Sequence, residues 1–162
     1  MKVLILGGNG ILGPHVVKAL EGDHELRITD IVPIDSPHET RQVDIADPDQ
    51  VLEVTEGVDA VVNCSVLRHD RKLAFDVSTP GTYNAIRAAA EHGIARFINT
   101  GPHFTITGPT YEHYDFDISP EVPAHPGLGL YALSKSAGQE ICRIFTQTYP
   151  IHVLCLLFYN FR

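Results

Sequence analysis

KVLILGGNGILG, Lys2 to Gly13, runs from a short apolar segment into a turn that spaces glycines at 7, 10 and 13. The run KVLIL, apolar after one lysine, has the pattern of a strand buried on both faces. The apolar spacing that follows predicts a helix from about Ile11 to Leu20. Strand, glycine-rich turn and helix in that order give the turn a specific use. Gly7 permits the tight turn, Gly10 lets the backbone approach a pyrophosphate, and Gly13 lets helix and strand pack closely. The amides at the helix N-terminus face the negative charge. Asn9, Ile11 and Leu12 belong to the same turn and are counted with it as candidate cofactor contacts.

Working outward, short runs rich in β-branched residues alternate with helical patterns. ELRITDIV is a second strand and RQVDI a short third. DPDQVLEVTEG is a helix with an aspartate cap, and DAVVNC a fourth strand. A long helix is expected from about Lys72 to His92, its early part interrupted by Pro80 and Gly81. RFINTG is a fifth strand. Residues 102–130 are rich in Pro and Gly and read as a long loop, a kind that is usually functional in compact domains. A helix from about Tyr131 to Tyr149 and a sixth strand, IHVLCLLF, complete the pattern. The alternation predicts an α/β fold, a parallel sheet covered by helices on both faces in three layers, with residues 1–162 forming one domain. No internal repeat, low-complexity tract or linker interrupts it.

The bulk composition excludes several classes. The 162 residues carry a formal net charge of -8 and no basic run, which argues against nucleic acid, because binding phosphates needs clustered Lys and Arg. No apolar run is long enough to span a bilayer, and the opening MKVLILGG is too short for a signal peptide and lacks a cleavage pattern. The three cysteines, Cys64, Cys142 and Cys155, are odd in number and widely spaced, which suits a reducing cytoplasm and buried thiols. The nine histidines form no recognised metal spacing, and HYDFD, His113 to Asp117, reads as a solvated acidic loop.

Two acidic residues refine the cofactor site. Asp30, with Ile31 beside it, ends the second strand twenty residues after Gly10. A carboxylate there accepts hydrogen bonds from ribose hydroxyls and repels a 2′-phosphate, which favours NAD over NADP. Arg41 is the one cation placed to alter that preference. Asp44, in VDIAD, is free to meet the adenine amino group while Ile45 packs on the ring; Asp47, immediately before Pro48, is the better helix cap.

YALSK sets Tyr131 and Lys135 four apart at the start of a helix, on one face. A phenol of pKa about 10 is a poor base at neutral pH. A neighbouring ammonium favours the phenolate and makes it usable for proton transfer.

Taken together, GGNGILG, Asp30, VDI at Asp44, DAVVNCSV, GTYNAIRAA and YALSK resemble the extended short-chain dehydrogenase/reductase family, the NAD-dependent epimerases and dehydratases of nucleotide sugars. The resemblance covers essentially the whole chain. It implies a Rossmann-type doubly wound sheet, cofactor contacts from the backbone around Asn63, Cys64 and Ser65, and a bond from Lys135 to the nicotinamide ribose. Phe158, Tyr159 and Asn160 would lie beside the nicotinamide. The implied mechanism has Tyr131 take a hydroxyl proton while a hydride passes from that carbon to the cofactor. The helix containing AIRAAAEHG and the Tyr131 helix would pair two copies into a homodimer.

Three positions depart from the family pattern. His103 stands where the family has its catalytic Ser or Thr, so either it donates to the substrate oxygen, or Thr105 or Thr100 supplies the hydroxyl, or it is an ordinary loop histidine. Ser78 replaces a frequent Asn and Leu157 a frequent Arg. Family members continue well past the sixth strand with a last strand and a small substrate-gripping domain, so the chain is expected to be either a fragment of a longer protein or a minimal form, with one face of its last helix uncovered. The alternative to an enzyme is a non-catalytic NAD(P)-binding module that senses redox state or serves as an assembly subunit.

Overall fold

The computed structural model describes residues 1–67, 69–107, 125–126 and 129–159. Its six strands are β1 (Lys2–Leu6), β2 (Glu25–Asp30), β3 (Glu39–Gln42), β4 (Ala60–Asn63), β5 (Arg96–Pro102) and β6 (His152–Phe158). They form one parallel sheet in the order β3-β2-β1-β4-β5-β6. The helices are α1 (Gly13–Leu20), α2 (Pro48–Thr55), α3 (Arg71–Ser78), α4 (Pro80–Glu91), α5 (Phe104–Thr107) and α6 (Leu130–Thr148). This is the doubly wound Rossmann arrangement, in which the chain reverses direction between β1 and β4 and opens a crevice at their C-terminal ends.

The two faces of the sheet are unequally covered. Leu4, Leu6, Val61 and Phe97 pack beneath α2, α4 and α6, together with Val51, Ile86 and Cys142. On the other face Val3, Ile5, Leu26, Ile28 and Val62 meet α1 through Val16, Val17 and Leu20, with Leu12 and Ile34 from the adjoining loops. The imbalance follows from right-handed crossovers: of the two connections that wind toward β3, β1 to β2 carries α1 and β2 to β3 carries no helix, whereas the connections that wind toward β6 carry the helices of the other face. On α6, the helix expected to leave one face uncovered, Leu133 is 48% and Ile144 49% exposed, and on β6 Leu154 is 51% and Leu156 41% exposed.

Several local readings shift. The strand expected at 41–45 runs over Glu39–Gln42, because Asp44 turns the chain by accepting from Ala46 N at 2.9 Å. The single helix expected over 72–92 is two helices, since Pro80 removes an N–H and ends α3 at Ser78. The break is where α6 docks. Thr79 Oγ1 donates to Ser134 O at 2.9 Å, and a Cβ on Gly138 would come within 2.5 Å of Ser78 O. The expected loop at 102–130 contains α5; residues 108–124 and 127–128, with Gly108 and the His113–Asp117 segment, lie outside the described residues. Of the thiols expected to be buried, Cys64 and Cys142 are, whereas Cys155 is exposed on β6.

Asp47 caps α2 as its place before Pro48 predicts, accepting from Asp49 N at 3.0 Å and Gln50 N at 3.1 Å. The Gln50 amide, with help from its side chain and from Asp49 N, holds the carboxyl below the usual carboxylate range. A group with a depressed folded-state pKa adds stability that is present above its unfolded pKa and lost as pH falls through the folded value. Asp47→Ala is thus expected to lower the thermal midpoint at neutral pH, by an amount that shrinks on acidification. A deficit unchanged down to about pH 2, well below the ordinary aspartate value, would show that the cap charge contributes nothing.

Candidate active site at the C-terminal edge of the sheet

The glycine turn owes its shape to its neighbours. Gly7 has φ +77°, a left-handed conformation, and a Cβ there would lie 2.7 Å from Ser65 Cα. Gly13 is buried where α1 crosses the turn, and a Cβ would meet Gly8 O at 2.3 Å. Gly8, which the spacing did not single out, is pinned by its N–H to Thr29 O at 2.8 Å and would drive a Cβ into Ile28. Gly10 differs: a Cβ would touch only Gly7 O, at 3.3 Å, so the protein itself does not demand a glycine here. The open side of Gly10 is what close approach by a ligand requires. α1 has Pro14 as its second residue and carries no side-chain cap and no acidic residue in its first turn, so its leading amides suit an anion.

A cavity of about 210 Å³ opens at this point. Its walls bring together Gly7, Gly10, Asp30, Ile31, Asp44, Ile45, Cys64 and Ser65, eight of the residues selected from the sequence. Asp30 Oδ2 accepts from Asn9 N at 2.9 Å, which ties the end of β2 to the glycine turn. Ile11 is 58% exposed at the turn, and Leu12 packs under α1 with the core. The wall contributed by Leu73, Asp76 and Val77 was missed, although their i, i+3, i+4 spacing on α3 was a readable signal.

The wall after β4 is held by a buried amide network. Asn63 Nδ2 donates to Asn99 Oδ1 at 3.0 Å and to Thr82 Oγ1 at 3.2 Å, while Asn63 Oδ1 accepts from Ser65 N at 3.1 Å. The Asn63 side chain thus shapes the Cys64–Ser65 turn from behind. Lys135 joins the same turn from α6. Its side chain is buried, with Nζ donating to Ser65 O at 2.7 Å and to Thr100 O at 3.4 Å. Tyr131 stands one turn earlier on the helix. Burial pushes the Cys64 thiol up to about 12 against the opposing pull of Lys135, so it presents a neutral S–H to the cleft.

Beyond β5, His103 N and Nδ1 both meet Phe158 O, at 2.9 and 3.3 Å, and the imidazole lies 4.7 Å from the Tyr159 ring. Phe158 therefore meets the neighbouring loop through its carbonyl. The Thr105 hydroxyl is buried and donates to Pro102 O at 2.9 Å, with Gln139 alongside; the Thr100 hydroxyl donates to Asn63 O at 2.8 Å. Both hydroxyls donate to backbone carbonyls, whereas the His103 ring meets the Phe158 carbonyl at the end of β6. Asn160 lies outside the described residues. Among the described residues no cluster of metal-ligating side chains occurs, and no helix is long and apolar enough to cross a membrane.

The model of the NAD dependent epimerase/dehydratase family matches residues 3–161. Uronate dehydrogenase of Pseudomonas putida is 28% identical over 96% of this chain and 59% of its own length. A short-chain dehydrogenase/reductase superfamily protein of Agrobacterium tumefaciens with bound NAD superposes with a TM-score of 0.87 at 23% identity, over 97% of this chain and 48% of that one. A variant of the Agrobacterium tumefaciens uronate dehydrogenase complexed with NAD gives a TM-score of 0.81 at 26% identity, over 94% and 58%. The chain thus spans roughly half to three-fifths of the length of these relatives.

Proposed function

The chain belongs to the NAD dependent epimerase/dehydratase family, and on that premise we propose that it binds NAD in the cleft above β1 and β4 and oxidises a hydroxyl-bearing carbon of a sugar acid or nucleotide sugar. The observation that carries this reading is the bond from Lys135 Nζ to Ser65 O. It ties the helix bearing the proton-transfer pair to the wall of the cofactor cleft.

In this reading the amides of α1 and the open face of Gly10 hold the pyrophosphate, Asp30 the adenosine ribose, and Asp44 with Ile45 the adenine. NAD, when bound, supplies the hydride acceptor. Tyr131, favoured as a phenolate by the Lys135 ammonium, receives the hydroxyl proton and becomes the neutral phenol. His103 steadies the substrate oxygen in the place of the family's Ser or Thr. The exposed Tyr83, Ile144 and Tyr149 on α4 and α6 suit the pairing of two copies.

The direct test combines a calorimetric NAD titration with a search for NADH formation over uronic acids and sugar nucleotides. NAD binding accompanied by turnover of one substrate class is expected. Binding without turnover across the panel would favour the non-catalytic module, and no binding would overturn the cofactor assignment. Asp30 makes the cofactor prediction sharper: NAD is expected to bind at least about tenfold more tightly than NADP, about 1.4 kcal/mol. Asp30→Ser should narrow that ratio, and an unmodified protein that prefers NADP would refute the role given to Asp30.

A further inference from the structure

Two of the three cysteines meet outside the proposed active site. Along β6, Val153 packs into the core that contains Cys142, and Leu157 lies beside the space above Gly101 that Gln139 fills. Side chains alternate along a strand, so Cys155, between Val153 and Leu157, faces α6 as they do. On α6, Cys142 follows Gln139 by about one turn, which carries it down the strand from Leu157 to Cys155. The two thiols lie close enough across the α6–β6 seam to interact directly.

Their surroundings are unequal. Cys142 is 1% exposed, whereas Cys155 is exposed on the edge strand. The interaction with Cys142 holds the Cys155 thiol below its ordinary range, while the interaction with Cys155 and burial push Cys142 up. An accessible sulfur that ionises more readily, backed by a second thiol in contact, is the arrangement in which a first oxidation is captured by a neighbour.

We propose that Cys142 and Cys155 form a peroxide-oxidisable dithiol that closes into a disulfide between α6 and β6. The Cys155 thiolate attacks one oxygen of a hydroperoxide; the O–O bond breaks, and the sulfenic acid forms with release of water or an alcohol. The Cys142 sulfur then attacks the Cys155 sulfur. The S–S bond forms, the S–O bond breaks, and the departing hydroxide takes the Cys142 proton as water. Two thiols lose two electrons and the peroxide gains them. A disulfide sets the sulfurs about 2 Å apart, so the bond ties the helix carrying Tyr131 and Lys135 to the strand that ends beside His103.

The test uses the full chain, treated with hydrogen peroxide, denatured, alkylated and digested with trypsin. Cleavage after Arg143 separates the two cysteines, so the disulfide must join the peptide Ser136–Arg143 to the one beginning at Ile144. The expected result is alkylation of all three cysteines before oxidation and of Cys64 alone afterwards, with the linked pair present and dithiothreitol restoring both thiols. Cys142→Ser should leave a Cys155 sulfenic acid that dimedone traps. Three alkylated cysteines after peroxide, a link through Cys64 or between chains, or an over-oxidised Cys155 beside a free Cys142 would each overturn the proposal. The unmodified chain decides the question even if a variant fails to fold.

Discussion

Tyr131→Phe is expected to lower turnover by about 10²–10⁴-fold, the usual contribution of a positioned acid–base group, with NAD affinity within about threefold of the unmodified protein. Phenylalanine keeps the ring and removes only the hydroxyl. The measurement is kcat on whichever uronic acid or sugar nucleotide proves active, paired with an NAD titration. Equal turnover in the two proteins would remove Tyr131 from the chemistry. A parallel loss of NAD affinity would make it a structural contact instead. Lys135→Met should be harsher, because its ammonium also bonds Ser65 O at 2.7 Å, so turnover and cofactor affinity are both expected to fall.

The second large effect separates glycines that the fold needs from the one that the ligand needs. Gly13→Ala places a Cβ 2.3 Å from Gly8 O, and Gly7→Ala adds a left-handed backbone to a 2.7 Å approach to Ser65. Overpacking costs about 1–3 kcal/mol, and a left-handed non-glycine residue roughly 1–2 more, so both variants should melt at markedly lower temperature. Gly10→Ala meets only Gly7 O at 3.3 Å. It should fold with nearly the original midpoint and yet lose at least about tenfold in NAD affinity, a cost of about 1.4 kcal/mol. Circular dichroism melts and calorimetry on the three variants check this. Gly10→Ala binding NAD normally would mean that the pyrophosphate does not pass over that Cα.

What the sequence made legible was carried by local spacing. Three glycines after an apolar run placed the turn, and Asp47 before Pro48 placed the α2 cap, because each signal lies within a few residues of the structure it produces. Pro80, which in sequence reads as an interruption or kink within one helix, acts as a full break, since sequence does not tell whether a neighbouring helix will bind the freed end. Arg27 is a clearer limit. Its guanidinium donates to Val54 O and Glu56 O, both at 2.7 Å, and so satisfies the last carbonyls of α2 from the neighbouring strand. Nothing near Arg27 announces that partner. The same holds for the Asn63–Asn99–Thr82 network and for the meeting of Cys142 with Cys155, which join residues brought together only by the strand order. In the candidate site, Asp30 and Lys135 were readable by type and spacing. The bonds that tie Lys135 to Ser65 O and Asp30 to Asn9 N were not.

The seam between α3 and α4 acts as a detent for the helix lying across it. A helix on a smooth neighbour has several resting heights, separated by its repeat of about 5.4 Å. At this seam Gly138 fits only beneath Ser78, and Ser134 meets Thr79, so one height is selected. The axial position of the Tyr131 phenol is thereby metered by a notch about two turns further along its own helix. A substitution in that notch which looks like a routine packing change would appear as a phenol at the wrong height, with the rest of the molecule intact.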